Sequence, residues 1–308
     1  MSIALLDADI IAYRAAVANQ EIWPDETVVT NRSKAFLDAE RTVHDWRQKS
    51  RCTGVLLCFS PRGEDRRHFR KDIASYYKEA RGEKPVLYWD VVDHLESLFR
   101  FYRLPYVEAD DVMGILGTSE KMRDAVIVSI DKDMLTIPGK VLNPDKMARP
   151  RMVTKLEAVR NWFTQALTGD SSDGYKGCPG VGEVGAGKML ANVTDEAQAW
   201  GVVLNAFANK SLSMEEALAN VRMARILRRE DYDKDKEMIR LWHPIPELAP
   251  WIPARRPEPE PKPEQPTKSS SHKAESSPST RPAQGTGKRK RRGTSPKPAS
   301  SPSSSLSP

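Results

Sequence analysis

Leu104-Pro-Tyr-Val-Glu108-Ala-Asp110-Asp111-Val-Met-Gly-Ile-Leu-Gly117, then a charged stretch, then Ala125-Val-Ile-Val-Ser-Ile130-Asp131-Lys-Asp133: this part of the sequence decides the fold. Glu108, Asp110 and Asp111 stand where an extended segment turns into a helix, and Asp131 and Asp133 follow an apolar strand. Taken singly, each acid has an ordinary explanation. Asp110 suits a helix N-cap, Asp111 complements a helix dipole, and Asp131-Lys-Asp133 is a common turn. Together, at the ends of neighbouring elements, five carboxylates repel one another unless a cation lies between them. All are hard oxygen ligands with no His or Cys among them, which favours Mg²⁺ or Mn²⁺ over zinc.

Working outward, Ile3-Ala-Leu-Leu-Asp7, Gly54-Val-Leu-Leu-Cys-Phe59 and Lys140-Val-Leu-Asn143 read as further buried strands. Helical patterns fall between them at about 10–18, 33–50, 85–102 and 110–122. Strands that are apolar on both faces and alternate with helices indicate an α/β domain with a central, mainly parallel sheet. In such sheets ligands gather outside the carboxyl ends of the strands, where Asp7, Asp131 and Asp133 fall. Residues 60–84 form a basic, aromatic-interleaved segment. Most such runs are solvated helices, but this one lies beside the acids, so Arg70, Lys78 and Arg81 are candidates to meet phosphate and Tyr77 to stack on a base.

The stripe Met152, Val153, Leu156, Val159, Trp162, Phe163, Ala166 and Leu167 has helical spacing and stops at Gly169. After it comes Gly169-Asp170-Ser-Ser-Asp173, then a glycine-rich stretch through Gly180, Gly182 and Gly185 to Lys188. Gly180-Val-Gly182-Glu-Val-Gly185 fits a dinucleotide fingerprint, yet no strand precedes it. Gly182 to Lys188 starts like a phosphate loop, but Met189 stands where Ser or Thr is required. A hairpin between two short helices, with backbone N–H groups open to phosphate, fits better. Helices at about 195–209 and 214–229 follow. The second sets Arg222, Arg225, Arg228 and Arg229 around an apolar stripe, which reads as a duplex-facing edge.

Composition divides the chain unevenly. The sequence after residue 250 carries 12 Lys and Arg against 4 Asp and Glu. That more than accounts for the net charge of +6, so the rest is slightly acidic. This tail, rich in Pro, Ser and Lys, reads as disordered, with Gly287-Lys-Arg-Lys-Arg-Arg292 as a nonspecific nucleic-acid patch. Three cysteines make neither a disulfide framework nor a zinc site. Asp7 and Asp9 interrupt the first apolar run, so it does not read as a secretory leader, and no run is long enough for a membrane span. A soluble cytoplasmic monomer is expected.

These motifs, in this order, resemble the 5′-nucleases: phage 5′→3′ exonucleases, the 5′-nuclease domain of DNA polymerase I, and flap endonucleases. The likeness covers about residues 3–193. It implies a PIN-like α/β nuclease domain over 1–150, a helical region with a helix–hairpin–helix DNA clamp (H3TH) over 151–250, and the tail over 251–308. It implies two metal ions, one held by Asp7, Glu108, Asp110 and Asp111, the other by Asp131, Asp133, Asp170 and Asp173. Lys78 and Arg81 would steady the scissile phosphate, and the hairpin would grip DNA and hold a potassium ion. The expected substrates are DNA 5′ ends and flaps, and RNA–DNA hybrids, cleaved in replication, repair or primer removal. Two departures stand out. Ser60-Pro61 follows the second strand where the family usually has Asp, leaving Asp65 or Glu64 as substitutes. Val184-Gly185-Ala186 replaces the hairpin's usual Lys-Thr-Ala. Two rival readings follow: a DNA-structure-binding protein whose site has lapsed, and a toxin-type PIN ribonuclease. The hairpin and basic segment argue against the second.

Overall fold

The computed structural model describes residues 2–62 and 67–254. Asp65 and Glu64, and nearly all of the basic tail, lie outside the described residues. The chain runs β1 (Ile3–Asp7), α1 (Ala8–Val17), β2 (Gln20–Ile22), β3 (Val28–Thr30), α2 (Arg32–Ser50), β4 (Gly54–Phe59), α3 (Arg70–Ile73), α4 (Tyr88–Leu98), β5 (Phe101–Arg103) and α5 (Ala109–Gly117). It continues with β6 (Val126–Val128), β7 (Gly139–Leu142), β8 (Arg151–Val153), α6 (Lys155–Thr168), α7 (Glu183–Leu190), α8 (Glu196–Ala208) and α9 (Met214–Ala224), then β9 (Tyr232–Asp233), β10 (Met238–Arg240) and β11 (Trp251–Pro253).

Six strands form the central sheet in the order β5-β4-β1-β6-β7-β8. All neighbours pair in parallel except β8, which is antiparallel on β7. β1 sits mid-sheet because Ala4, Leu5 and Leu6 can be buried on both faces. One face packs on α1, α2 and α4, with Trp46, Leu57 and Val91 in that core. The other packs on α5 and on the chain around Ile226 to Ile239. The parallel pairing aligns Asp7 with Cys58 and Leu6 with Val128, so the carboxyl ends of β1, β4 and β6 open on one edge. The fold is therefore PIN-like, with a mainly parallel sheet between helical layers.

A third core, around Trp162, Phe163, Trp200 and Phe207, belongs to α6–α9. The sheet and these helices form parts of one compact unit. The expected helix at 85–102 is shorter, since β5 takes its last residues as an edge strand. Met152 and Val153 lie in β8, not in the helix that follows. The helix expected through residue 229 ends at Ala224. No described helix is long and apolar enough to cross a membrane.

Candidate active site

Asp7 ends β1 and caps α1. Its carboxylate accepts from Ile10 N (3.2 Å) and from Ser129 Oγ (2.7 Å), so it is fixed from both α1 and β6. Asp110 enters from the first turn of α5, and Asp131 from the turn that follows β6. Burial, then Asp9 and later Asp131, push the Asp7 carboxyl up to about 7. Burial, then Asp7 and Asp131, push Asp110 well above the carboxylate range. Asp133, which accepts from Gln165 Nε2 at 2.6 Å, is pushed up to about 7 by burial and then by Asp131. This side of the cleft concentrates negative charge that the fold itself does not neutralise.

The adjoining side is compensated. Lys78 Nζ stands 2.5 Å from Glu108 Oε1 and 3.6 Å from Asp173 Oδ2. Arg81 Nη2 reaches Asp173 Oδ1 at 2.8 Å, and Tyr77 donates its hydroxyl to Asp173 at 2.6 Å. Burial works to raise the Glu108 carboxyl, but Lys78, His68 and Arg70 hold it well below the usual range. Arg81 keeps 55 % of its side chain exposed, so it remains open to solvent beside Asp173.

Backbone geometry docks the two segments. Gly169 (φ +71°) and Gly177 (φ +65°) pass so closely that a Cβ on either would strike the other's strand of backbone. That crossing closes the loop bearing Asp170 and Asp173. Asp170 is held within it by Ser172 N and Oγ. Lys78 N then donates to Asp173 O at 2.9 Å, tying the basic segment to the loop.

Four sequence expectations need correction. Asp111 is no open ligand: it is 0 % exposed, and Arg70 Nη1 and Nη2 donate to it at 2.7 Å each. Leu227 N and Glu108 N donate to it as well, so its lone pairs are consumed by the fold. Arg70, 3 % exposed, therefore faces Asp111 and the carbonyls of Met223 and Arg225 instead of a phosphate. Tyr77 is 2 % exposed against His68 and Tyr175, so it has no free face for a base; the exposed aromatic is Tyr76. Arg225 and Arg228 are buried, stacked over Trp162, with Arg225 paired to Asp231 at 2.8 Å, so they do not line a duplex-facing edge.

In the hairpin, Gly182 caps α7, Gly180 takes φ +79°, and Gly180, Gly182, Gly185 and Lys188 are all exposed. Lys132, between Asp131 and Asp133, lies 3.5 Å from Glu183 at the start of α7, so the hairpin adjoins the acidic edge.

Two residues named in the sequence reading but not assigned to the site stand beside it. Asp9, on the first turn of α1, accepts from Ser60 N at 3.3 Å and from Tyr88 OH at 3.0 Å. Ser60 Oγ in turn accepts from Ala109 N at 3.0 Å, joining the starts of α1 and α5 across the end of β4. The Asp7-x-Asp9 spacing was visible; the register that carries Asp9 to Ser60 was not. Among the described residues, no three His, Cys, Asp or Glu side chains already converge as a cation site. Asp7, Asp131, Asp133 and Asp170 are instead each held by a donor of the fold. The donors suit a hard divalent cation, being carboxylates that repel one another at a partly open edge.

A PIN-like sheet with acids gathered at the carboxyl ends of its central strands, and cations beside them, defines the class of phosphodiester-cleaving nucleases. Residues 2–163 match the family model described as 5'-3' exonuclease, N-terminal resolvase-like domain. The chain belongs to this 5′-nuclease family and is a nuclease. It is similar to the exodeoxyribonuclease of Enterobacteria phage T3, 26% identical over 291 residues, covering 79% of this chain and 93% of that protein. A 5'-3' exonuclease of Mycobacterium tuberculosis is 27% identical over 227 residues, covering 61% of this chain and 70% of its own length. Among solved structures, the phage T5 D15 protein co-crystallized with metal ions superposes with a TM-score of 0.53 at 13% identity, covering 73% of this chain and 89% of that one.

Proposed function

We propose that the chain is a divalent-metal-dependent 5′→3′ exonuclease with structure-specific flap endonuclease activity on DNA, acting in replication, repair or primer removal. The observation that carries this reading is the mutual repulsion of Asp7, Asp110 and Asp131 at the carboxyl edge of the sheet, where none of the described ion pairs engages them. Asp7, Glu108 and Asp110 would hold one Mg²⁺ or Mn²⁺, and Asp131, Asp133, Asp170 and Asp173 a second. Bound there, the ions would supply the positive charge that activates water and stabilises a leaving phosphate oxygen. Lys78 and Arg81 would then turn from Glu108 and Asp173 toward the scissile phosphate. The N–H groups around Gly180, Gly182 and Gly185, with Lys188, would hold the duplex backbone, with a potassium ion at the hairpin carbonyls. The protein would act as a cytoplasmic monomer and accept RNA–DNA hybrids as well as DNA.

The test is Asp110→Asn against a 5′-labelled flap and a nicked duplex with Mg²⁺. The expected loss of cleavage is at least ~10²–10³-fold, the scale for removing one transition-state electrostatic group. Undiminished cleavage by the variant contradicts the mechanism. A parent protein that binds flaps without Mg²⁺-dependent cleavage favours the lapsed-site reading, which the Ser60 position motivates.

A further inference from the structure

The structure points to an additional carboxylate in the reaction centre. We infer that Asp9 serves as a metal-site carboxylate, filling at the end of β4 the place where Ser60 offers none. The inference rests on the metal-dependent reading above.

Four observations converge. First, Asp9 lies on the first turn of α1, two residues after Asp7, the N-cap of that helix, at the same carboxyl edge of the sheet. Second, the β1–β4 register pairs Asp7 with Cys58, which brings Ser60, two residues on, beside Asp9. Third, Ser60 N lies 3.4 Å from Asp9 Oδ1 and 3.3 Å from Oδ2, so one peptide N–H spans both oxygens. Fourth, Tyr88 OH, at the start of α4, donates to Oδ1 at 3.0 Å. Neutral donors from two other elements thus aim the carboxylate, while none of the described ion pairs neutralises it. Outer hydrogen bonds of this kind orient metal ligands and leave further lone pairs free. A residue needed only for helix capping or loop bracing requires no net charge, because a neutral amide oxygen accepts from Ser60 N and Tyr88 OH equally well.

That contrast supplies the test. Asp9→Asn keeps size and hydrogen-bond acceptance and removes only the charge. Calorimetric titration of the full chain with Mn²⁺ should show affinity weakened ~10–100-fold, the scale seen for perturbed metal environments. The metal-free variant should melt at or above the parent's temperature, since the repulsion with Asp7 is relieved. Returning a carboxylate from the strand side, in Asp9→Asn/Ser60→Asp, should restore most of the Mn²⁺ affinity. Asp110→Asn, measured alongside, tests the underlying reading. If Asp110→Asn loses Mn²⁺ binding while Asp9→Asn binds as the parent does, the inference falls and the proposed function stands. If neither variant changes Mn²⁺ binding, both fall. A weakened Asp9→Asn that the double variant fails to restore also overturns the substitution for position 60.

Discussion

Asp110 and Asp111 are neighbours on the first turn of α5, yet the structure uses them in opposite ways. Asp110 turns to the strand edge, toward Asp7 and Asp131, where burial and like charge raise its carboxyl. Asp111 turns inward to Arg70, two backbone N–H groups complete its partners, and no solvent reaches it. One region holds charge the fold leaves unbalanced, and the other balances charge so completely that it can only brace. The comparison teaches that function resides where compensation is missing. The Glu108–Lys78–Asp173–Arg81 chain stands between them, compensated by cations that remain close to the open edge.

The largest contrast should come from breaking the brace. Arg70→Ala leaves Asp111 buried and unpaired, and should cost about 3–5 kcal/mol in denaturant unfolding. Asp110→Asn should leave the metal-free protein as stable as the parent or more so. A comparable stability loss in both variants would erase the distinction.

Next in size, Lys78→Met and Arg81→Ala should each slow cleavage of a 5′ flap ~10–100-fold, as expected for losing one charge-assisted contact to phosphate. Lys78→Met should at the same time leave Mn²⁺ affinity unchanged or higher, since Nζ no longer competes for Glu108. Lower Mn²⁺ affinity would place Lys78 in support of the metal site instead.

The acid edge also sets the pH response. The fold pushes the Asp7 and Asp133 carboxyls up to about 7 and holds Asp110 well above the carboxylate range. An acid whose carboxyl is raised by folding binds protons that the unfolded chain has released. Stability of the metal-free protein should therefore fall as pH rises from about 4 to 7. His68 opposes this: burial lowers its imidazole, so its contribution grows as pH rises through its ordinary range. Four raised carboxyls, the buried Asp231 among them, outweigh one imidazole, and thermal melts at pH 5 and pH 8 should place the lower melting temperature at pH 8.

The smallest effect concerns the basic tail. Truncation after residue 253 should flatten the salt dependence of DNA binding without altering cleavage at saturating substrate. An unchanged slope removes the tail from DNA binding.

How much of this was legible follows the same contrast. Strands β1, β4, β6 and β7 announce themselves as apolar runs, and they carry Asp7 and Asp131 to their places. β5 escaped because Phe101-Tyr-Arg is a three-residue edge strand whose Phe101 is exposed, so it blends into the helix pattern before it. Asp110 was legible because its role needs only position. The fate of Asp111 depends on Arg70, 41 residues earlier, and on Met223 and Arg225, more than a hundred residues later, and no local pattern encodes such a pairing. Tyr77 misled for a similar reason. Its sequence neighbours Ser75, Tyr76 and Glu79 are exposed, whereas its neighbours in space are His68 and Tyr175. Asp9 was printed in the sequence but acquires meaning only through the β1–β4 register.

The central claim is that the strand-edge carboxylates are left unbalanced for divalent cations. The most direct test follows the melting temperature of the metal-free protein at pH 8 as Mn²⁺ is added. Saturation at about a hundredfold over the dissociation constant should raise it by roughly 5–10 °C in the parent. Asp110→Asn should lose most of that rise. A parent protein whose melting temperature ignores Mn²⁺ at pH 8 would contradict the account.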